Sequence, residues 1–179
     1  MTDAFAELGF PRSTVVDDEA LASRFDELSR TRHPDAGGDT SGFASLTEAR
    51  RILSSPALRW RHLLELEHPG TRLDGALTPA LVDLFAALGP RLQASQDVIR
   101  RKSAAATSLA RALLAPEELR IREALEAAAA QLSDAHQALV ESAGSWDGSA
   151  ASLAALAREA AFIEKWQSQV RQHLSQLAL

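Results

Sequence analysis

The stretch Leu21-Ala-Ser-Arg-Phe-Asp-Glu-Leu-Ser-Arg-Thr-Arg-His-Pro-Asp35 decides how this chain is read. Leu21, Phe25 and Leu28 follow i, i+4, i+7 spacing, the stripe of an amphipathic helix. Proline fixes its own φ and pushes the residue before it out of the α region, so this helix should stop at about Arg32. A second helical face follows from about Gly42 to Leu53, carried by Phe43, Leu46, Ala49, Ile52 and Leu53. His33 and Asp35 are then held outward on a short tether between two helices. Such a loop is built for contact with something else.

Working outward, Asp3 to Leu8 reads as a short opening helix closed by Gly9 and Pro11. The next helix should start at Asp17 or Asp18, where a carboxylate caps free N–H groups, with Val15 or Val16 stapling the entry. Ser54-Ser55-Pro56 ends the third helix, and Ala57 to Leu66 forms a fourth with Leu58, Leu63, Leu64 and Leu66. The turn formers of Glu67 to Gly75 mark a linker. Beyond it, Thr78 can cap a helix with Pro79 at its first position, and Leu81, Leu84, Phe85 and Leu88 form its apolar face. Gly89-Pro90 should break or kink it before Leu92, Val98 and Ile99. Pro116 should open a further helix, Glu117 to Glu141, with Leu119, Leu125, Leu132 and Leu139 as its stripe. After a turn at Ala143 to Ser149, a last helix runs to about Leu177 with Leu156, Ala160, Ile163, Val170 and Leu174 near heptad spacing. Long amphipathic segments joined by loops, few β-branched residues and no period-two alternation predict an all-α chain whose C-terminal part is an antiparallel three-helix bundle.

The bulk numbers exclude several functions. The chain has 179 residues, 46% of them apolar, and a net charge of -5, which argues against broad attachment to nucleic acid or anionic membrane. No apolar run is long enough to span a bilayer, and the start lacks the features of a secretory leader. With zero cysteines, disulfides, thiolate metal sites and cysteine nucleophiles are ruled out. The five histidines (33, 62, 68, 136, 173) form no HxxxH or HExxH pair, and there is no Walker loop, GxGxxG or GxSxG. The expectation is a cytoplasmic protein with no catalytic residues, metal site or cofactor. His62, His68, His136 and His173 read as surface or linker residues, and Arg100-Arg101-Lys102 as a solvated helix face.

Three segments in order, DAFAELGF at residues 3–10, LASRFDELSRTRHPD at 21–35 and FASLTEARRILSSPALR at 43–59, resemble a J domain, the module by which J-proteins bind Hsp70 chaperones. SRFDELSRTRHPD, PALRWRHLLEL at 56–66 and AAFIEKWQSQVRQHLSQL at 160–177 are similar to the HscB-type branch, the co-chaperones of iron–sulfur cluster assembly. The resemblance implies a J domain over residues 1–66, a linker over 67–75 and a client-binding three-helix domain over 76–179. It implies an Hsp70 partner, HscA-like or DnaK-like, whose ATPase is stimulated, and an iron–sulfur scaffold protein as client. His33, Pro34 and Asp35 match the Hsp70-contact loop, with Arg24 and Arg30 on the Hsp70 side of the preceding helix and Phe25 and Leu28 in the core. Leu84, Phe85, Leu88 and Phe162 match the apolar client patch; read from the residues alone they serve equally well as bundle core.

This chain departs from the family's pattern in three places. Asp26 and Glu27 put carboxylates on a helix that is often strongly basic, and Ala36 stands where many J domains carry lysine. Gly89-Pro90-Arg91 replaces a segment that is acidic in the family. Two other readings are therefore carried along: a J-protein with an unrelated client, and a J-like interaction protein that has lost Hsp70 coupling. An enzyme using His33 and Asp35 as an acid–base pair is the remote third, since no nucleophile, metal set or phosphate loop accompanies them.

Overall fold

The structure, a computed structural model, describes residues 2–32 and 40–178, without the side chains of positions 32 and 40. The described residues form seven helices: α1 (Ala4–Leu8), α2 (Asp18–Arg32), α3 (Thr40–Ser54), α4 (Pro56–Glu67), α5 (Pro79–Ala104), α6 (Ser108–Ala143) and α7 (Ala150–Ala178). The first four begin and end where the local chemistry dictates. Asp3 accepts hydrogen bonds from the backbone of Phe5 and Ala6, and Gly9 closes α1 in the left-handed region at φ 74°. Asp17 caps α2 through the N–H of Ala20, and Ser55 caps α4 through that of Leu58. Val16, half-buried against the core, is the staple, whereas Val15 is exposed.

The long helices correct the sequence reading at two prolines. No break occurs at Gly89-Pro90, because α5 continues through Pro90. The lost N–H bond and the ring's steric cost are local, and Leu88 and Leu92 on either side are both buried in the bundle. Nor does Pro116 open α6. That helix starts at Ser108, where Thr107 accepts from the N–H of Ala110, and Pro116 lies within it. Thr78 has the extended backbone of a cap but forms no side-chain cap bond.

Two compact units result, one of Met1–Gly75 with Leu139–Ala161, the other of Ala76–Ala138 with Phe162–Leu179. The C-terminal end of α6 and the first part of α7 thus belong with α1–α4. In this first unit Phe5, Leu8, Leu46, Leu53, Trp60, Leu63 and Leu153 are almost wholly buried. Its polar centre is Thr14: the carbonyl accepts from Trp60 Nε1 at 2.7 Å and from Arg59 Nε at 3.1 Å, and the hydroxyl donates to the Ala143 carbonyl at 2.7 Å. Residues 67–75, read as a linker, fold onto this unit. Arg12 pairs with Glu67 at 2.8 Å, and Arg158 donates to the Asp74 carbonyl at 2.9 Å. Gly75 sits at φ 132°, a backbone conformation that L side chains rarely adopt, with the Arg158 guanidinium packed against its Cα.

In the second unit the pairings fix the helix directions. Arg101 meets Glu117 and Arg91 meets Gln131, so α5 and α6 run antiparallel; Arg122 reaches the Leu177 carbonyl and Gln167 the Leu132 carbonyl, so α6 and α7 do too. This is the antiparallel three-helix bundle. Its core includes Leu81, Leu88, Leu92, Val98, Leu125, Leu132, Ile163, Val170 and Leu177. The run Arg100-Arg101-Lys102 is a clamp as well as a solvated face: Lys102 pairs with Glu118 at 3.1 Å and donates to the Leu177 carbonyl at 2.8 Å, favourable charge at a helix C-terminus.

His62 corrects a second expectation. It is buried, its ring stacks on Phe5 (centroids 6.0 Å apart), and Nε2 accepts the Ala4 N–H at 3.0 Å. It must therefore be neutral, with the proton on Nδ1. Burial pushes its pKa below the ordinary imidazole value, against the opposing pull of Asp3, 4.0 Å away. A depressed histidine stabilises the fold above the unfolded value of about 6.5 and loses that contribution as pH falls through the folded value. His173, also depressed by burial, acts in the same direction in the second unit. The urea midpoint should fall between pH 7.5 and 5.5, and fall less in His62→Gln, which keeps an acceptor for Ala4. Equal pH dependence in the two proteins would refute this role.

Candidate functional site

Helix α2 turns Leu21 into the core and leaves Glu19, Ser23, Asp26, Glu27 and Arg30 exposed as one stripe. Phe25 and Leu28 pack partly buried against the core, and the Arg50 guanidinium of α3 lies 4.3 Å above the Phe25 ring. Arg24 is half-buried. Its Nε donates to the Leu8 carbonyl at 3.2 Å and its Nη1 to Glu27 at 2.6 Å, so it ties α2 to α1 as well as facing outward. Arg30 is exposed on the outer stripe. Three carboxylates against one arginine make that stripe acidic. His33, Pro34 and Asp35, together with Ala36, lie outside the described residues, in the segment that joins α2 to α3.

The second candidate surface is on the bundle. Phe85 and Phe162 come together with ring centroids 5.0 Å apart, and Phe85 also stacks on Trp166 at 5.5 Å and 24°. Phe162 is 38% exposed and Val82, one turn from Phe85, is 51% exposed. Leu84 is half-buried. Leu88, at 1% exposure, takes the core reading of the two left open by the sequence. Trp166 belongs to this cluster as well, and its i, i+4 spacing from Phe162 was the available signal in the sequence. Elsewhere on the bundle, Pro90, Arg91 and Ala94 of α5 and Glu117, Arg120, Ile121 and Ala124 of α6 line a groove of about 360 Å³. Arg91 and Arg120 form no ion pair among the described residues, while Glu117 of the same lining pairs with Arg101.

Among the described residues no group of three or more His, Asp or Glu side chains is placed to hold a metal ion, and no helix is long and apolar enough to cross a membrane. What the geometry offers is two contact faces, one charged and one aromatic.

A short helix, a pair of helices joined through His-Pro-Asp, and a three-helix bundle define a class: J domain plus C-terminal helical domain. The chain has the fold of HscB. Chaperone HscB from Vibrio cholerae superposes over 98% of this chain and 99% of its own with a TM-score of 0.61, at 20% sequence identity. A tetratricopeptide repeat and J domain-containing co-chaperone of Cryptococcus neoformans is 37% identical over 60 residues, which span 34% of this chain but only 11% of that protein's length. No protein-family model matches the chain.

Proposed function

We propose that this protein is a J-domain co-chaperone. Its HPD segment and the outer face of α2, with Arg24 and Arg30, contact an Hsp70 and stimulate its ATPase, and the Phe85–Phe162 patch with Leu84 presents a client, an iron–sulfur scaffold protein. The observation that carries this reading is the His33-Pro34-Asp35 segment at the joint between α2 and α3 of an HscB fold that extends through the whole chain. Holding client and chaperone on one chain raises their effective concentration for each other. The protein itself does no chemistry, binds no nucleotide or nucleic acid, and acts in the cytoplasm; the cluster belongs to the client, since thiolates are its usual ligands.

One observation favours a different client. Gly89-Pro90-Arg91 stands where the family has an acidic segment, and charge across an interface selects partners. Single-turnover ATP hydrolysis by the host's Hsp70 proteins separates the readings. Stimulation that rises further with scaffold supports the proposal, while stimulation indifferent to scaffold moves the client elsewhere. No stimulation of any Hsp70 leaves a J-shaped interaction protein.

A further inference from the structure

A groove of about 720 Å³ lies between α3 and α4 in the first unit, and no residue of either contact surface lines it. Ala49, Ile52 and Leu58 give it apolar walls. On its α3 side Glu48 and Arg51 pair with each other at 2.7 Å, so that side carries no free charge. The α4 side is different. His62 is 5% exposed and its Nε2 accepts the Ala4 N–H, which leaves the proton on Nδ1. That second N–H has no partner among the described residues, yet it is not shut off from solvent, so it opens onto the groove that His62 lines. Arg61 and Glu65 line the same groove, both exposed, and neither forms an ion pair among the described residues. They stand at i, i+4 with the arginine first, the weaker order for pairing along a helix.

These groups define what the groove can take. A nine-tenths buried donor facing a cavity with apolar walls is a polar anchor of the kind that fixes a small ligand's orientation. One free charge of each sign at the rim suits a zwitterion better than a simple anion or cation. Arg61 and Glu65 are separated by a rise of roughly 6 Å along α4, and the charged ends of an extended dipeptide lie at most about 7 Å apart. We propose that the α3–α4 groove binds a zwitterionic dipeptide with apolar side chains. The Arg61 guanidinium takes its carboxylate, the Glu65 carboxylate its ammonium and the His62 N–H its peptide carbonyl, while Ala49, Ile52 and Leu58 receive its side chains. The site stands independently of the Hsp70 and client readings.

The test titrates leucyl-leucine into the full chain by calorimetry and by the resonances of the His62 ring nitrogens and the Ile52 and Leu58 methyls. N-acetyl-leucyl-leucine, leucyl-leucine amide and free leucine serve as controls. Arg61→Gln and Glu65→Gln remove exposed charges with no described ion-pair partner, so the fold should be unaffected. Expected are shifts at all three residues with leucyl-leucine, and binding about tenfold weaker in each variant and for each capped form, the size of one charge-assisted hydrogen bond. Glu65→Gln should weaken the N-acetyl form no further, and Arg61→Gln should weaken the amide no further, because the partner charge is already gone. Absence of shifts in the groove with leucyl-leucine in the millimolar range overturns the inference. Equal binding by the free and capped dipeptides, or free leucine binding as tightly as the dipeptide, overturns it too.

Discussion

Trp60→Ala should remove about 4 kcal/mol of stability, the upper range for truncating a large buried aromatic. Trp60 is 0% exposed at the centre of the first unit, and its indole N–H is the shortest of the bonds that converge on the Thr14 carbonyl. The substitution leaves a large cavity between α4 and its neighbours and also frees one end of the Thr14 bridge to Ala143. Against the roughly 5–15 kcal/mol that holds a typical domain together, this is a major share. Trp60→Phe should cost only about 1–2 kcal/mol, because most of the ring volume stays and Arg59 Nε still donates to the same carbonyl. Arg59→Leu combined with Trp60→Phe should exceed the sum of the single changes, since only then is Thr14 left with neither side-chain donor. Urea unfolding followed by circular dichroism checks the order Ala, then Phe. Equal losses for the two would mean that the hydrogen bond, not the packing, holds this junction.

What the sequence made legible follows from where each signal lives. Caps are local, so Asp17 announced the start of α2, whereas Asp3, read inside the opening helix, and Ser55, read as part of the stop of the third, turn out to cap α1 and α4. Pro90 misleads because its cost of about 3 kcal/mol is set against burial on both sides, at Leu88 and Leu92, a tertiary quantity. Helix α4 shows a second limit. Its buried residues Ala57, Arg59, Trp60, His62, Leu63 and Leu64 wrap most of the helix and leave only a narrow exposed face at Arg61 and Glu65, so polar residues also fall on the inside. His62 consequently read as a surface residue, though it is bonded in the core. The grouping of Leu139–Ala161 with the first unit had no sequence signal either, since α6 and α7 continue unbroken across the division. At the candidate site, Phe85 and Phe162 came from the family resemblance and do meet, while Leu88 proved to be core.

Asp35→Asn should abolish most of the Hsp70 stimulation while leaving the fold untouched. The substitution keeps the shape of the side chain and removes its charge. A carboxylate paired with a cationic donor contributes about 1.5–3 kcal/mol, against about 1 for a neutral pair, and an amide offers a donor where the partner needs an acceptor. Loss of that bond corresponds to roughly ten- to a hundredfold weaker stimulation at subsaturating protein. His33→Gln should behave similarly. The contrast with α2 is instructive. Arg24→Ala removes a residue already engaged with Leu8 and Glu27, so its effect mixes a loosened α1 with any lost contact. Glu27→Gln should leave α1 in place and make the outer stripe less acidic, raising stimulation by an Hsp70 with an acidic docking surface and lowering it for one with a basic surface. The ionic-strength dependence of the wild type gives the same sign independently: stimulation that grows with salt means like charges meet across α2. If Asp35→Asn stimulates as well as the wild type while its helical content and urea midpoint are unchanged, the HPD segment is not the coupling element, and the J-domain fold here serves binding alone.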